Sequence, residues 1–178
     1  MLRRILRAAK LEPELFEEVE ADQGATIEAV VVVILSSLAA GVGLTSTVGG
    51  VGFFWGTVAA LVGWLLWAVL IFFIGTKWLP AGETHTDMGE LLRTLGFSSA
   101  PGVIRIFGIF HPTLSGFLGI TAFLWTLLAM VVAVKHVLDY PTTGRAMMVV
   151  GIAGFIQLLL FGGLYFLITL TLGGGPTP

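Results

Sequence analysis

The chain has no cysteine among its 178 residues and little charge: Asp, Glu, Lys and Arg together make up 11%. Without cysteine there is no disulfide framework, no thiolate nucleophile and no zinc–thiolate centre. A soluble domain carries about 25% charged residues, so an ordinary globular fold in water is excluded as well. The net charge is −2, and no basic patch is interleaved with exposed aromatics, which speaks against a nucleic-acid partner. HExxH, GxSxG, Walker A and dinucleotide fingerprints are absent. Ser98 and Ser99 have no histidine in their segment to activate them. The sequence therefore predicts a non-enzyme with no catalytic residue, no metal and no cofactor. Its basic start runs into acidic residues, not into an apolar core and a small-residue cleavage site, so no cleavable signal is expected and the first span serves as the insertion signal.

What the chain does have is apolar sequence. Hydrophobic residues are 56% of it, and Ala29–Thr76, Leu114–Val134 and Ala146–Pro178 hold no charge at all. A spanning helix needs about 20 apolar residues. The first run is too long for one helix and is interrupted by GVGLTSTVGGVG (Gly41–Gly52), which reads as a tight hairpin. The prediction is an all-α, polytopic membrane protein with five transmembrane helices, at about 27–44, 52–74, 91–110, 114–134 and 147–170. Residues 1–24 form a short cytoplasmic helical head, 25–172 the membrane domain and 173–178 a short tail.

The third span is the ambiguous one, because LLRTLGFSSAPGVIRIFGIF (Leu91–Phe110) carries two arginines and a proline. Charge placement decides it. With five spans, Arg3, Arg4, Arg7, Lys10, Lys77, Lys135 and Arg145 share one side, and the other holds no lysine or arginine except Arg105. That is a positive-inside pattern with a cytoplasmic N-terminus and the C-terminus outside, as in a bacterial inner membrane. Four spans weaken the asymmetry. Arg93 and Arg105 lie toward opposite ends and can snorkel. Thr94, Ser98 and Arg105 fall on one face of a regular helix, and Pro101 is expected to kink it.

Several residues carry candidate roles. Leu2, Ile5, Leu6 and Ala9 form an apolar stripe beside Arg3, Arg4, Arg7 and Lys10, so the first helix is expected to lay its basic residues on anionic lipid. Pro13 suits the first turn of a second, acidic helix with Leu11, Leu15, Phe16 and Val19 on its apolar face. The two helices then either pack at the membrane surface or dock a cytoplasmic partner. Glu83, His85, Asp87 and Glu90 share a loop with metal-ligand chemistry, but no second histidine cluster completes a site, and a solvated loop is the expectation. His111 is either an interfacial residue before a turn or a ligand for a pigment or metal. Arg105, Ser98 and Gln157 are the intramembrane polar contacts. Gly52, Gly56 and Gly63 lie on a small-residue face for close helix packing.

The order of these pieces resembles the Yip-domain family. LRRILRAAKLEPELFEEVEAD looks like the head of its bacterial members, and GWLLWAVLIFFIGTKWL, LLRTLGFSSAPGVIRIFG and LWTLLAMVVAVKHVLDYPTTGRA look like its successive core segments. The resemblance implies five spans and a cytoplasmic N-terminus, and its eukaryotic members are linked to Rab binding, vesicle trafficking and membrane shaping. It brings no catalytic residues. The expected function is a non-enzymatic membrane scaffold or adaptor in membrane organisation or trafficking, with lipids, other membrane subunits or a second copy as partners. The alternatives are an accessory subunit of a larger bioenergetic membrane complex, and a small transporter or channel built on Arg105.

Overall fold

A computed structural model describes residues 1–81 and 86–172, and every regular element among them is a helix. The head is α1 (Leu2–Ala9) and α2 (Pro13–Ala21). The rest is α3 (Ala25–Val48), α4 (Gly50–Phe73) with a π-helical extension Ile74–Trp78, α5 (Met88–Ser98), a 3-10 helix Ala100–Phe110, α6 (Pro112–Val137) and α7 (Thr143–Leu172). Four helices are long and apolar enough to cross a membrane: Ala25–Val48, Gly50–Trp78, Pro112–Val137 and Thr143–Thr171. The tail 173–178 lies outside the described residues.

The hairpin expected over Gly41–Gly52 is almost entirely helix. α3 continues to Val48, and the chain reverses at Gly49, whose φ of 72° is open to glycine at little cost. The hydroxyls of Thr45, Ser46 and Thr47 donate to the carbonyls of Val42, Gly43 and Leu44. Hydroxyl residues that bond back to their own helix need no loop and no water. Glycine serves a different purpose here: a side chain at Gly41 would strike the Phe53 carbonyl and the Thr57 hydroxyl on α4, and one at Gly56 would come 3.1 Å from the Gly41 Cα. At Gly52 a Cβ would meet the Leu44 carbonyl at 3.0 Å. Gly52 and Gly56 thus let α3 and α4 touch along their far halves.

The segment expected as the third span is not one continuous helix. α5 ends at Ser98, and eleven residues of 3-10 helix follow. Pro101 has no N–H to give an α-helical ladder, and 3-10 runs beyond three or four residues are uncommon. Because the helix type changes, Thr94 and Ser98 do not share a regular face with Arg105. The segment nevertheless travels the length of α3 in the same direction. Side chains at Gly96, Gly102 and Gly43 would collide with Ala29, the Ser36 hydroxyl and the Arg105 backbone respectively, so the contact points climb α3 as 29, 36, 43. α6 returns, with the Ser115 hydroxyl donating to the Gly43 carbonyl at 2.5 Å at one end and His136 beside Glu17 at 3.0 Å at the other.

The head is built into the bundle. Leu15, Phe16 and Val19 are fully buried and share one core with Leu91, Leu95, Met130, Val134 and Val137. Trp125 Nε1 on α6 donates to the Ala9 carbonyl at 2.8 Å, closing the end of α1. α7 is the least covered element. Val149 and Ala153 are buried near its start, whereas Phe155, Leu158, Leu164, Tyr165 and Phe166 are exposed.

Candidate functional site: a polar cavity inside the bundle

Charge is concentrated at two levels, and it is satisfied at only one of them. At the head end, Arg4 reaches Glu18 at 2.8 Å, Asp22 at 2.9 Å and Glu28 at 3.3 Å, while Arg7 reaches Glu12 at 2.9 Å and Glu18 at 2.5 Å. Arg7 and Arg4 hold the Glu18 carboxyl below the usual carboxylate range, and Arg4 does the same for Asp22. Arg4 and Arg7, expected on lipid, are thus engaged with carboxylates of the protein itself. The acidic helix that follows them in sequence folds back and brings its carboxylates to both arginines. Arg3 and Lys10 remain exposed, as do Leu2 and Leu6.

Arg93 is a second tie. Only 8% exposed, it donates from Nε to the Val19 carbonyl at 3.2 Å and from Nη2 to the Glu20 carbonyl at 2.7 Å. A guanidinium thus closes the C-terminal end of α2, where carbonyls lack partners and the helix dipole is negative. Arg93 does not snorkel to solvent. Beside it, burial and then the Asp139, Glu90 and Glu17 carboxylates push the Glu20 carboxyl up to about 7.

The acidic loop is partly accounted for. Asp87 Oδ1 accepts from the Glu90 N–H at 2.8 Å and Glu90 Oε2 from the Asp87 N–H at 2.9 Å, a reciprocal capping box that starts α5. Glu83 and His85 lie outside the described residues, and no group of three possible metal ligands forms among those described. His111 caps α6, its Nδ1 accepting from the Thr113 N–H at 3.2 Å. A groove of about 390 Å³ between α3, α4 and α5 is apolar but for Thr26 and Arg93, and Arg93 is already committed to α2.

The unsatisfied level lies halfway along the bundle. A cavity of about 230 Å³ opens between α3, α4, α6, α7 and the 3-10 helix. Ser36, Ser37, Ser99, Arg105, Thr126 and Gln157 supply its polar wall, and Trp64, Trp67, Phe123 and Phe161 much of the rest. The indoles are fixed: Trp64 Nε1 donates to the Leu95 carbonyl and Trp67 Nε1 to the Val150 carbonyl, both at 3.3 Å. Arg105 has no ion pair and no hydrogen bond among the described residues. Thr126 Oγ1 and Gln157 Oε1 are buried without a partner. An orphaned buried polar atom costs about 1–3 kcal/mol, and an arginine deep in a membrane helix roughly 2.5–3.5 kcal/mol. A second space of about 200 Å³, lined by Ala40, Gly43, Leu44, Ser115 and Gly119, meets Arg105 from the far end.

The Yip1 domain profile matches residues 12–175, nearly the whole chain. The chain belongs to the Yip1 domain family. No curated protein and no solved structure matches it. With four helices fit to cross a bilayer, this Yip1 domain is an integral membrane protein.

Of the polar contacts expected from sequence, the Yip1 domain brings Arg105 and Gln157 to one cavity and leaves Ser98 out. Ser98 is fully buried, but its hydroxyl donates to the Leu95 carbonyl of its own helix at 2.7 Å. Ser99, one residue on, lines the cavity, its hydroxyl making a longer bond of 3.4 Å to the same carbonyl. Gly63 borders the same cavity where α4 faces α7: a Cβ on it would come 3.2 Å from Gln157 Nε2. Sequence reasoning missed Ser36, Ser37 and Thr126. One signal was available for Ser36, which stands midway between Ala29 and Gly43 on the small-residue stripe of α3, seven residues from each.

Proposed function

We propose that this Yip1-domain protein is a non-enzymatic scaffold or adaptor of a bacterial inner membrane, with its head cytoplasmic and its C-terminus outside. The observation that carries the reading is the rigid seating of the head. Arg93 ties α2, and Arg4 through Glu28 ties α1, to the bundle, so the protein offers a shaped polar platform instead of a loose tail. Exposed Arg3, Lys10 and Glu14 stand on that platform, where they can meet anionic lipid or a partner.

The topology we propose has five crossings. An eleven-residue α-helix reaches about 16 Å and eleven residues of 3-10 helix about 22 Å, together enough for a hydrocarbon core of about 30 Å. The stretched 3-10 half supplies the length that the short helix lacks. Tyr140 Oη donates to the carbonyls of Gly75 at 3.3 Å and Leu79 at 2.9 Å, so the end of α4 and the α6–α7 turn meet at the head end. Lys77, Lys135 and Arg145 therefore gather with the head's cations, as the positive-inside rule asks of a cytoplasmic face.

Two measurements test this. A cysteine at Thr113 should react with a membrane-impermeant reagent from outside intact cells, and labelling only from the cytoplasmic side overturns the five-crossing topology. Purification from native membranes in mild detergent should recover a partner, and Arg93→Met should release it while the chain stays in the membrane. If wild-type protein holds no partner at stoichiometric amounts, the adaptor reading fails.

A further inference from the structure

We propose that the mid-bundle cavity is a binding site for one singly charged phosphate group, held by Arg105 and by the hydroxyl and amide groups of Ser36, Ser37, Ser99, Thr126 and Gln157. The site does not depend on which way the head faces, so it stands or falls separately from the adaptor reading.

The charge inventory comes first. Every head arginine that turns inward finds a partner, and Arg93 finds two carbonyls. Arg105 lines two adjoining spaces and has none among the described residues, and neither space is lined by a carboxylate. A guanidinium has five donors and no acceptor, so only an acceptor satisfies it, and an anionic oxygen does so best. Water can bond to Thr126 and Gln157 but leaves the charge uncompensated.

Shape and hydrogen bonding agree with that reading. The cavity of about 230 Å³ has room for a phosphate and some attached atoms. Its orphaned atoms, Thr126 Oγ1 and Gln157 Oε1, need a ligand or its bound water to complete them, and the amide can turn to offer either edge. One cation matches one negative charge. The aromatic wall suits carbon attached to the phosphate, as in a phospholipid headgroup. Glycine keeps the place open: a Cβ at Gly102 would strike the Ser36 hydroxyl and lie 3.4 Å from Arg105 Nη1. The second space, of about 200 Å³ on the other side of Arg105, gives an approach from the far end.

The test uses the full chain in mild detergent with three probes: phosphatidylglycerol, inorganic phosphate, and diacylglycerol, which has the tails and no phosphate. Native mass spectrometry reads occupancy and a melting curve reads stabilisation. Wild-type protein should bind and be stabilised by phosphatidylglycerol or phosphate, and not by diacylglycerol. Response to phosphate alone identifies a free anion, and response only to the phospholipid identifies a headgroup. Arg105→Gln should weaken binding at least tenfold, whereas Arg145→Gln, an exposed cation at the start of α7, should leave it unchanged. Thr126→Val and Gln157→Leu should each weaken binding several-fold while raising the melting temperature of the ligand-free protein, a combination that a purely structural role does not give. The proposal is overturned if diacylglycerol stabilises equally, if wild-type protein takes up neither phosphate probe, or if Arg105→Gln binds like wild type. Should Arg105→Gln fail to fold, unchanged binding in both Thr126→Val and Gln157→Leu overturns it.

Discussion

Arg4 and Arg105 are the same side chain in opposite circumstances. Arg4 sits where α1, α2 and α3 converge and touches three carboxylates. Arg105 lines the mid-bundle cavity and touches none among the described residues. Glu18, Asp22 and Glu28 all lie within 24 residues of Arg4 in the chain, so a short fold-back supplies the partners. No acidic residue occurs between Asp87 and Arg105 other than Glu90, and none between Arg105 and Asp139, so the chain around Arg105 has nothing to offer. The head spends its charge on its own architecture. The bundle keeps one charge unspent inside a cavity, and that is where a ligand is to be sought.

The contrast can be broken experimentally, and the largest effect should come from the residue that joins the two regions. Arg93→Met removes two charge-assisted hydrogen bonds from a buried position; such bonds are worth about 1.5–3 kcal/mol each, and we expect a loss of about 3 kcal/mol with faster amide exchange throughout α1 and α2. If exchange in the head stays at the wild-type rate, Arg93 is not its anchor. Next, Arg105→Gln should raise the stability of ligand-free protein by about 1–2 kcal/mol, because a lone membrane-embedded charge is removed. A loss of stability in its melting curve would show that Arg105 has an internal partner after all. The same substitution at Arg4 should act with opposite sign. Arg4→Gln leaves Glu18, Asp22 and Glu28 to repel one another and should cost about 1 kcal/mol, less at high salt, since its partners are partly exposed. If the two substitutions change stability in the same direction, the comparison is wrong.

The smallest effect is a pH dependence. Glu20, pushed up to about 7 in the docked head, holds its proton more tightly docked than undocked. Head docking should therefore be favoured by Glu20 below its ordinary value, and that contribution should be lost as pH rises from about 4.5 to 7 and stay lost above it. Glu18 and Asp22, held low by Arg7 and Arg4, act the other way: their contribution is present above the ordinary carboxylate range and lost in stronger acid. Lys135 and His136 face the same crevice as Glu20, and salt will damp the effect. After correction for the intrinsic pH dependence of exchange, α2 amides should be better protected at pH 5.5 than at pH 8, and Glu20→Gln should flatten the difference. A head protected equally at both pH values would mean Glu20 is solvated.

Much of this was legible in the chain, for reasons specific to particular residues. Pro13 marked the first turn of α2, and Leu15, Phe16 and Val19 marked its buried face. The end of the uncharged run at Thr76 marked the end of the second span, and the π-helical extension of α4 stops just past it at Trp78. The Gly41–Gly52 stretch misled, because glycine and hydroxyl residues that spell a loop in water can spell a close helix pair in a membrane. The partners of Arg4 and Arg7 were not legible, because a basic stripe reads alike whether it faces lipid or a neighbouring acidic helix.

The sequence by itself determined that the protein lives in a membrane, that its helices are apolar and where its few charges fall along the chain, because hydropathy and charge are properties of short stretches. Only the tertiary structure decided which charges are satisfied. A hydrogen-bond partner is a neighbour in space: Arg93 meets Val19 and Glu20 across more than 70 residues, and Arg105 and Gln157 come to one cavity from two separate helical segments. The absence of a partner for Arg105 among the described residues is likewise a fact about what the fold brings near, which no local pattern encodes.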